Sequence, residues 1–170
     1  MARILRAHGI ERVCDVRAFP ASRRHPHLAR EPLECELERR GIRYTWLGRD
    51  LGGRRRLAAG DPRHPSLTNA GFRAYAAHME GEEFAAGIAE LLRLAGQDRV
   101  AVMCAEAWWK RCHRSLIADH LVALHGAALV HLVDEKRSEP HRLHRAARVE
   151  GHTLVYDRLE GQAEGQGQLF

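Results

Sequence analysis

The chain has 170 residues, enough to close one hydrophobic core without disulfide or metal staples. Apolar residues make up 45% of it, but no uninterrupted apolar run approaches the roughly eighteen that span a bilayer, and the opening MARILRAHGIERV lacks the charged-then-apolar order of a secretory signal, so the expectation is a cytoplasmic domain. The formal charge is +5, yet only Lys110 and Lys136 of the 27 basic residues are lysines; an arginine- and alanine-rich composition also follows from a GC-rich bacterial genome, so position and not total charge must identify an anion site.

Arg12 to Val16 reads as a short buried strand, followed by a polar, proline-bearing loop through Arg30. Pro32 near a helix start, Leu33 and Leu37 four apart, and Gly41 beyond the last turn predict a helix over 31–40. Ile42 to Leu47 is a β-rich run, and 48–66 is expected to be a glycine- and arginine-rich loop. Phe72, Tyr75, Ala76 and Met79, then Phe84, Ile88, Leu91, Leu92 and Ala95, repeat at helical spacing and give two helices or one broken near Gly81. Arg99 to Cys104 is the clearest buried strand, 112–125 the next helix, and Ala128 to Val133 a fourth strand. Thr153 to Tyr156 offers one more.

Strands alternating with helices imply an α/β fold: a single three-layer domain over 1–157, with a mainly parallel sheet and helices on both faces in the Rossmann-like or flavodoxin-like manner. A flexible tail is expected over 158–170. In such sheets ligands bind beyond the carboxyl ends of the strands. That rule gathers Asp15 and Arg17, the Gly48–Gly53 loop, Cys104, Glu106 and Asp134 along one rim.

The segment VAVMCAEAWWKRCHRSLIADHL runs from an apolar strand through a seven-residue loop into a helix whose first turn carries Cys112, His113, Arg114 and Ser115. Helix-terminal amides beside Arg114 and Ser115 would hold an anion, and the same positive surroundings lower a thiol pKa. Cys104, Glu106, Cys112 and His113 are therefore the candidate catalytic residues. Phosphatases and rhodaneses use a similar layout but place Cys and Arg six residues apart, whereas the sixth residue after Cys104 is Lys110. A second anion-binding group is Asp15 and Arg17, on one side of a strand, with Ser22 and Arg23; the same Asp and Arg could instead form an internal ion pair. Trp108 and Trp109 in the loop are candidates for stacking.

With no HExxH or paired CxxC, and with Cys112 and His113 adjacent in the chain, no metal site is expected and no cofactor is indicated. Four cysteines without an export signal read as reduced thiols. The end of the chain, with Gln166, Leu169 and Phe170 as Gln-x-x-Leu-Phe, resembles the peptide by which bacterial replication and repair proteins dock into the sliding clamp.

The segments GIERVCDVRAFPASRR, GIRYTWLGRDLGG, FRAYAAHM with EFAAGIAELL, and the Cys-Ala-Glu and Cys-His-Arg-Ser run together resemble the domain of unknown function 488 family over roughly 9–133. The resemblance places family motif positions on Asp15, Arg17, Ser22, Arg23, Cys104, Glu106, Cys112, His113, Arg114 and Ser115, and it implies a loose link to DNA repair. It also implies an earlier strand ending in a Gly-His-Ser turn, which this chain lacks or replaces by another segment. The leading expectation is a phosphate- or anion-binding domain, an enzyme linked to nucleic acid in repair or stress response. The alternatives are a non-catalytic module binding DNA and the sliding clamp, and a thiol- or metal-based stress sensor.

Overall fold

The computed structural model describes residues 1–21, 25–56 and 62–158. Three short strands form its centre: β1 (Arg12–Asp15), β2 (Arg43–Trp46) and β3 (Val100–Met103), all parallel, in the order β2-β1-β3. Arg12 lies opposite Arg43 on one side and Val100 on the other, and Asp15 opposite Trp46 and Met103. Buried Asp98 gathers the amino ends of the sheet, accepting from Arg12 Nε at 2.6 Å and from Arg43 Nη2.

Alternation along β1 sends successive side chains to opposite faces. Val13 packs with Leu5, Leu33 and Leu37 of α1 (Ala2–Ala7) and α2 (Arg30–Glu38). Cys14 and Val16 instead join the larger cluster built by α4 (Ala70–His78), α5 (Glu82–Ala95) and α6 (Arg114–His125). The helix after β1 thus belongs to one face and the helix after β3 to the other. Adjacent strands whose following helices diverge leave a crevice at their carboxyl ends, here between β1 and β3.

The α/β class and the parallel pairing are those expected from sequence, with differences in detail. Residues 2–7, for which no element was predicted, form α1. The two helical patterns around Gly81 are separate helices. Part of the expected 48–66 loop is a single helical turn, α3 (Gly48–Leu51), whose Leu51 is fully buried against α5. A Cβ on Gly87 would lie 2.8 Å from Leu51, so glycine in α5 lets the two elements meet.

The fourth parallel strand is a correction. β4 (Val130–Leu132) leaves the sheet and pairs antiparallel with β5 (Ser138–Pro140), His131 opposite Glu139. A strand covered on both faces is apolar throughout, but this one carries a histidine. Asp134 also turns the chain back, its carboxylate accepting the Lys136 and Arg137 amides at 2.8 and 2.9 Å. A second hairpin, β6 (Ala147–Glu150) with β7 (Thr153–Tyr156), turns at Gly151 in the left-handed region and inserts Leu154 and Tyr156 into the larger core.

Leu51 gives a test of this packing. Leu51→Ala should lower unfolding stability by about 2–5 kcal/mol in urea titrations, whereas Arg49→Ala on the exposed side of the same turn should change it by under about 0.5 kcal/mol.

Candidate functional site

At the carboxyl end of β1 the chain buries a carboxylate completely: Asp15 is 0% exposed. Burial without partners would be prohibitive, and every lone pair is answered. Arg17 grips it side-on through Nε and Nη2, at 2.9 and 2.5 Å, and the Arg17 amide and the Tyr44 hydroxyl donate at 2.9 and 2.7 Å. Burial, and then Asp15 itself, pushes the Tyr44 pKa up, which keeps its hydroxyl a donor. Arg17 Nη1 continues to the Leu28 carbonyl at 2.7 Å. Asp15 and Arg17 therefore pair internally, the second of the two readings the sequence left open, while Arg17 also borders the cleft described below.

This bracing fixes the carbonyls that follow. Val16 O faces His113 Nε2 at 3.2 Å, and Arg17 O accepts from Trp46 Nε1 at 2.9 Å. A carbonyl can only accept, so Nε2 carries the imidazole proton and Nδ1 is left with its lone pair. That lone pair faces two thiols: Cys112 Sγ at 3.7 Å and Cys104 Sγ at 3.9 Å. Cys112 is in extended conformation at the end of a 3-10 turn (Trp109–Arg111), and His113 has helical dihedrals at the start of α6. The bend between them brings adjacent side chains to one point.

The two thiols titrate as a pair. Cys112 is pulled well below the ordinary thiol range, chiefly because Cys104 donates to it, with the Arg114 backbone amide helping and burial opposing. Cys104 moves the other way, raised by that same hydrogen bond and by burial. Arg114 Nε also reaches Cys112 Sγ at 3.4 Å, and its Nη2 holds the Glu106 carbonyl. Arg114 thus ties the loop to the sulfur. Ser115 Oγ donates to the Cys112 carbonyl at 2.9 Å.

The thiols and imidazole border a cleft of about 300 Å³ at the β1/β3 crevice. Its other walls include Phe19, Arg54, Asn69, Glu106 and Arg111. Gly53 forms part of the floor, where a Cβ would come within 2.3 Å of His113 Nδ1. Gly48 and Gly52 allow the same close approach, a Cβ at 48 falling 1.9 Å from Arg17 O and one at 52 lying 2.8 Å from Ala18. The loop after β2 therefore lies directly on the backbone after β1.

Of the sequence candidates, Cys104, Glu106, Cys112, His113 and Arg17 meet at this cleft, with Asp15 and Arg114 behind it. Ser115 lines a second cavity instead. Asp134, expected on the rim, sits in the β4–β5 turn with its carbonyl on His8. Ser22 and Arg23 lie outside the described residues, as do Gln166, Leu169 and Phe170. Phe19, Asn69 and Arg111 were not singled out in the sequence; Phe19 is 70% exposed beside the cleft, with the Arg54 guanidinium over its ring at 5.8 Å. An apolar ring directly before Pro20, in a loop opened by Asp15 and Arg17, was the available signal.

The second cavity, about 470 Å³, lies between α6 and the β4–β5 region. Asp119 there accepts from His141 Nε2 at 2.8 Å, from the His144 amide at 2.9 Å and from the Tyr156 hydroxyl at 3.0 Å. His141 Nδ1 meets His131 Nε2 at 2.9 Å, and Trp109 stacks on His131 with centroids 3.5 Å apart. Of the two loop tryptophans only Trp108, 63% exposed, keeps an open face. His131 is lowered to about 4, by burial first and then by His141, Arg114 and Lys110.

The family model described as domain of unknown function DUF488 matches residues 1–121. No curated protein and no solved structure matches the chain. The matched stretch contains every side chain of the first cleft named above and ends within α6; β4 to β7 lie beyond it.

Two outcomes are expected of this geometry. In chelator-treated, reduced protein, the ultraviolet absorbance of one thiolate should persist below the usual titration near pH 8.5 and vanish as the pH falls through the lowered Cys112 value. Cys112→Ser should remove that thiolate and Cys35→Ser should not. Asp15→Asn, which leaves Arg17 buried without its counter-charge, should cost about 3–5 kcal/mol in urea unfolding.

Proposed function

The chain belongs to the DUF488 family, for which the name gives no activity, and from that premise and the geometry of the cleft we propose a site that binds and acts on a phosphate-bearing ligand of the nucleotide or nucleic-acid class. The observation that carries the reading is the lining of the cleft: two guanidinium groups besides that of Arg17, one exposed aromatic ring and a three-atom sulfur and nitrogen cluster around one opening. Among the described residues Arg54 and Arg111 make no ion pair with a carboxylate, unlike Arg17, Arg43, Arg55 and Arg93. Unpaired guanidinium forks suit phosphate oxygens, and the exposed face of Phe19 suits a planar base.

In this reading Arg54 and Arg111 hold the phosphate and Phe19 orients what it carries. Cys104, Cys112 and His113 form the working centre at the floor. Glu106, exposed at the cleft wall, is the group placed to take or give a proton. Arg114 acts by positioning, because it binds the Glu106 carbonyl and the Cys112 sulfur. The support is proximity and charge at a parallel-sheet crevice, where ligands of this class commonly sit.

Binding of inorganic phosphate, a nucleoside monophosphate and a short single-stranded oligonucleotide, followed by calorimetry at low and moderate salt, tests the reading. The nucleotide should bind more tightly than phosphate, and Phe19→Ala should erase the difference. Arg54→Ala and Arg111→Ala should each weaken all three by about tenfold. No binding of any probe, or affinities indifferent to both arginines, would sink the proposal.

A further inference from the structure

We infer that Cys104, Cys112 and His113 are three ligands of a zinc ion whose fourth position opens into the cleft. The inference rests on the proposed function, since it takes the same cluster as the working centre and names what the thiols hold.

The donor atoms come first. Cys104 Sγ, Cys112 Sγ and His113 Nδ1 all lie within 4.8 Å of one another, with the sulfurs 3.9 and 3.7 Å from the nitrogen. Around a tetrahedral zinc with ordinary Zn–S and Zn–N bonds, sulfur and nitrogen ligands stand about 3.6 Å apart. Each sulfur–nitrogen pair needs to close by only a few tenths of an ångström. Sequence adjacency of Cys112 and His113 is no obstacle, because φ and ψ change from −127° and 145° to −55° and −17° between them.

Next comes the imidazole. A histidine that ligates metal through one nitrogen typically donates the other N–H to a carbonyl or carboxylate, which fixes ring and tautomer. His113 Nε2 on Val16 O does this, and Val16 follows the braced Asp15. Glycine at position 53 lets the ring lie there at all: a Cβ would meet Nδ1, Cγ and Cε1 of His113 at 2.3, 2.7 and 2.8 Å, over the ring face, and would push the imidazole away from the two sulfurs.

Charge completes the case. Two thiolates and a neutral imidazole cancel the two charges of zinc, and Arg114 Nε on Cys112 Sγ supports the sulfur in its thiolate form. The neutral centre then leaves the positive charges of Arg54 and Arg111 available to the ligand. A set of two sulfurs and one imidazole with an open position is the composition of catalytic zinc, whereas structural sites close all four positions. A phosphate oxygen is the natural fourth ligand.

The test uses the full chain purified under reductant without chelator. Elemental analysis should find about one zinc per chain, retained in Cys35→Ser and lost in Cys104→Ser and in Cys112→Ser. Cobalt added to the chelated protein should give sulfur-to-cobalt charge-transfer bands, and inorganic phosphate should shift its visible bands by entering the open position. Gly53→Ala keeps all three ligand residues but displaces the His113 ring, so it should lose the cobalt bands while its circular dichroism stays that of the folded protein.

Wild-type protein with neither zinc nor charge-transfer bands would overturn the inference. So would variants at Cys104, Cys112 and Gly53 that bind cobalt as the wild type does. If chelated protein binds phosphate through Arg54 and Arg111 but takes up no metal, the zinc site falls and the anion reading stands. Should cobalt bind with all its bands unmoved by phosphate, and no probe bind the cleft, zinc stands and the anion reading falls.

Discussion

A carboxylate with no access to water governs the geometry of this protein. Asp15 is stable where it is only because Arg17, Tyr44 and a backbone amide converge on it, and Arg17 in turn must fold back beside the strand it has just left. The chain cannot then leave β1 in any other direction. Val16 O and Arg17 O become fixed acceptors, one taking the His113 imidazole and the other the Trp46 indole. Three distant segments, from the ends of β1, β2 and β3, are positioned by one buried ion pair.

Glycine supplies the complementary constraint. Gly48, Gly52 and Gly53 sit where any side chain would collide with Arg17 O, Ala18 or the His113 ring. The loop that carries Arg54 is thereby laid onto the thiol cluster. Attraction at Asp15 and the absence of bulk at three glycines together bring cationic and soft donor groups within one cleft. Neither would do so alone.

The region beyond the family match is attached through a different buried acid. Asp119, on the face of α6 away from the first cleft, gathers His141, His144 and Tyr156 from the two C-terminal hairpins. With Trp109 stacked on His131, these contacts hold the 109–115 segment from its other side. The loop that presents Cys112 and His113 is therefore clamped between the sheet and the hairpins, a rigid setting for a site whose donor atoms must keep fixed separations.

Residue order alone was enough to read the α/β class, three strands of the parallel sheet, the helices on either side of Gly81 and the gathering of Asp15, the Gly48–Gly53 loop and Cys104 at one rim. Each depends on local periodicity or on the rule that parallel strands present their carboxyl ends together, and both are written in residue order. The folded chain was needed to see that Arg17 answers Asp15, that Arg114 and Ser115 secure the loop, and that β4 pairs outside the sheet. It alone showed that Phe19 and Arg111 share a cleft with two thiols and the bare Nδ1 of His113. These outcomes turn on which donor reaches which buried acceptor and on a backbone bend between two adjacent residues, and neither distance nor direction is encoded in spacing along the chain.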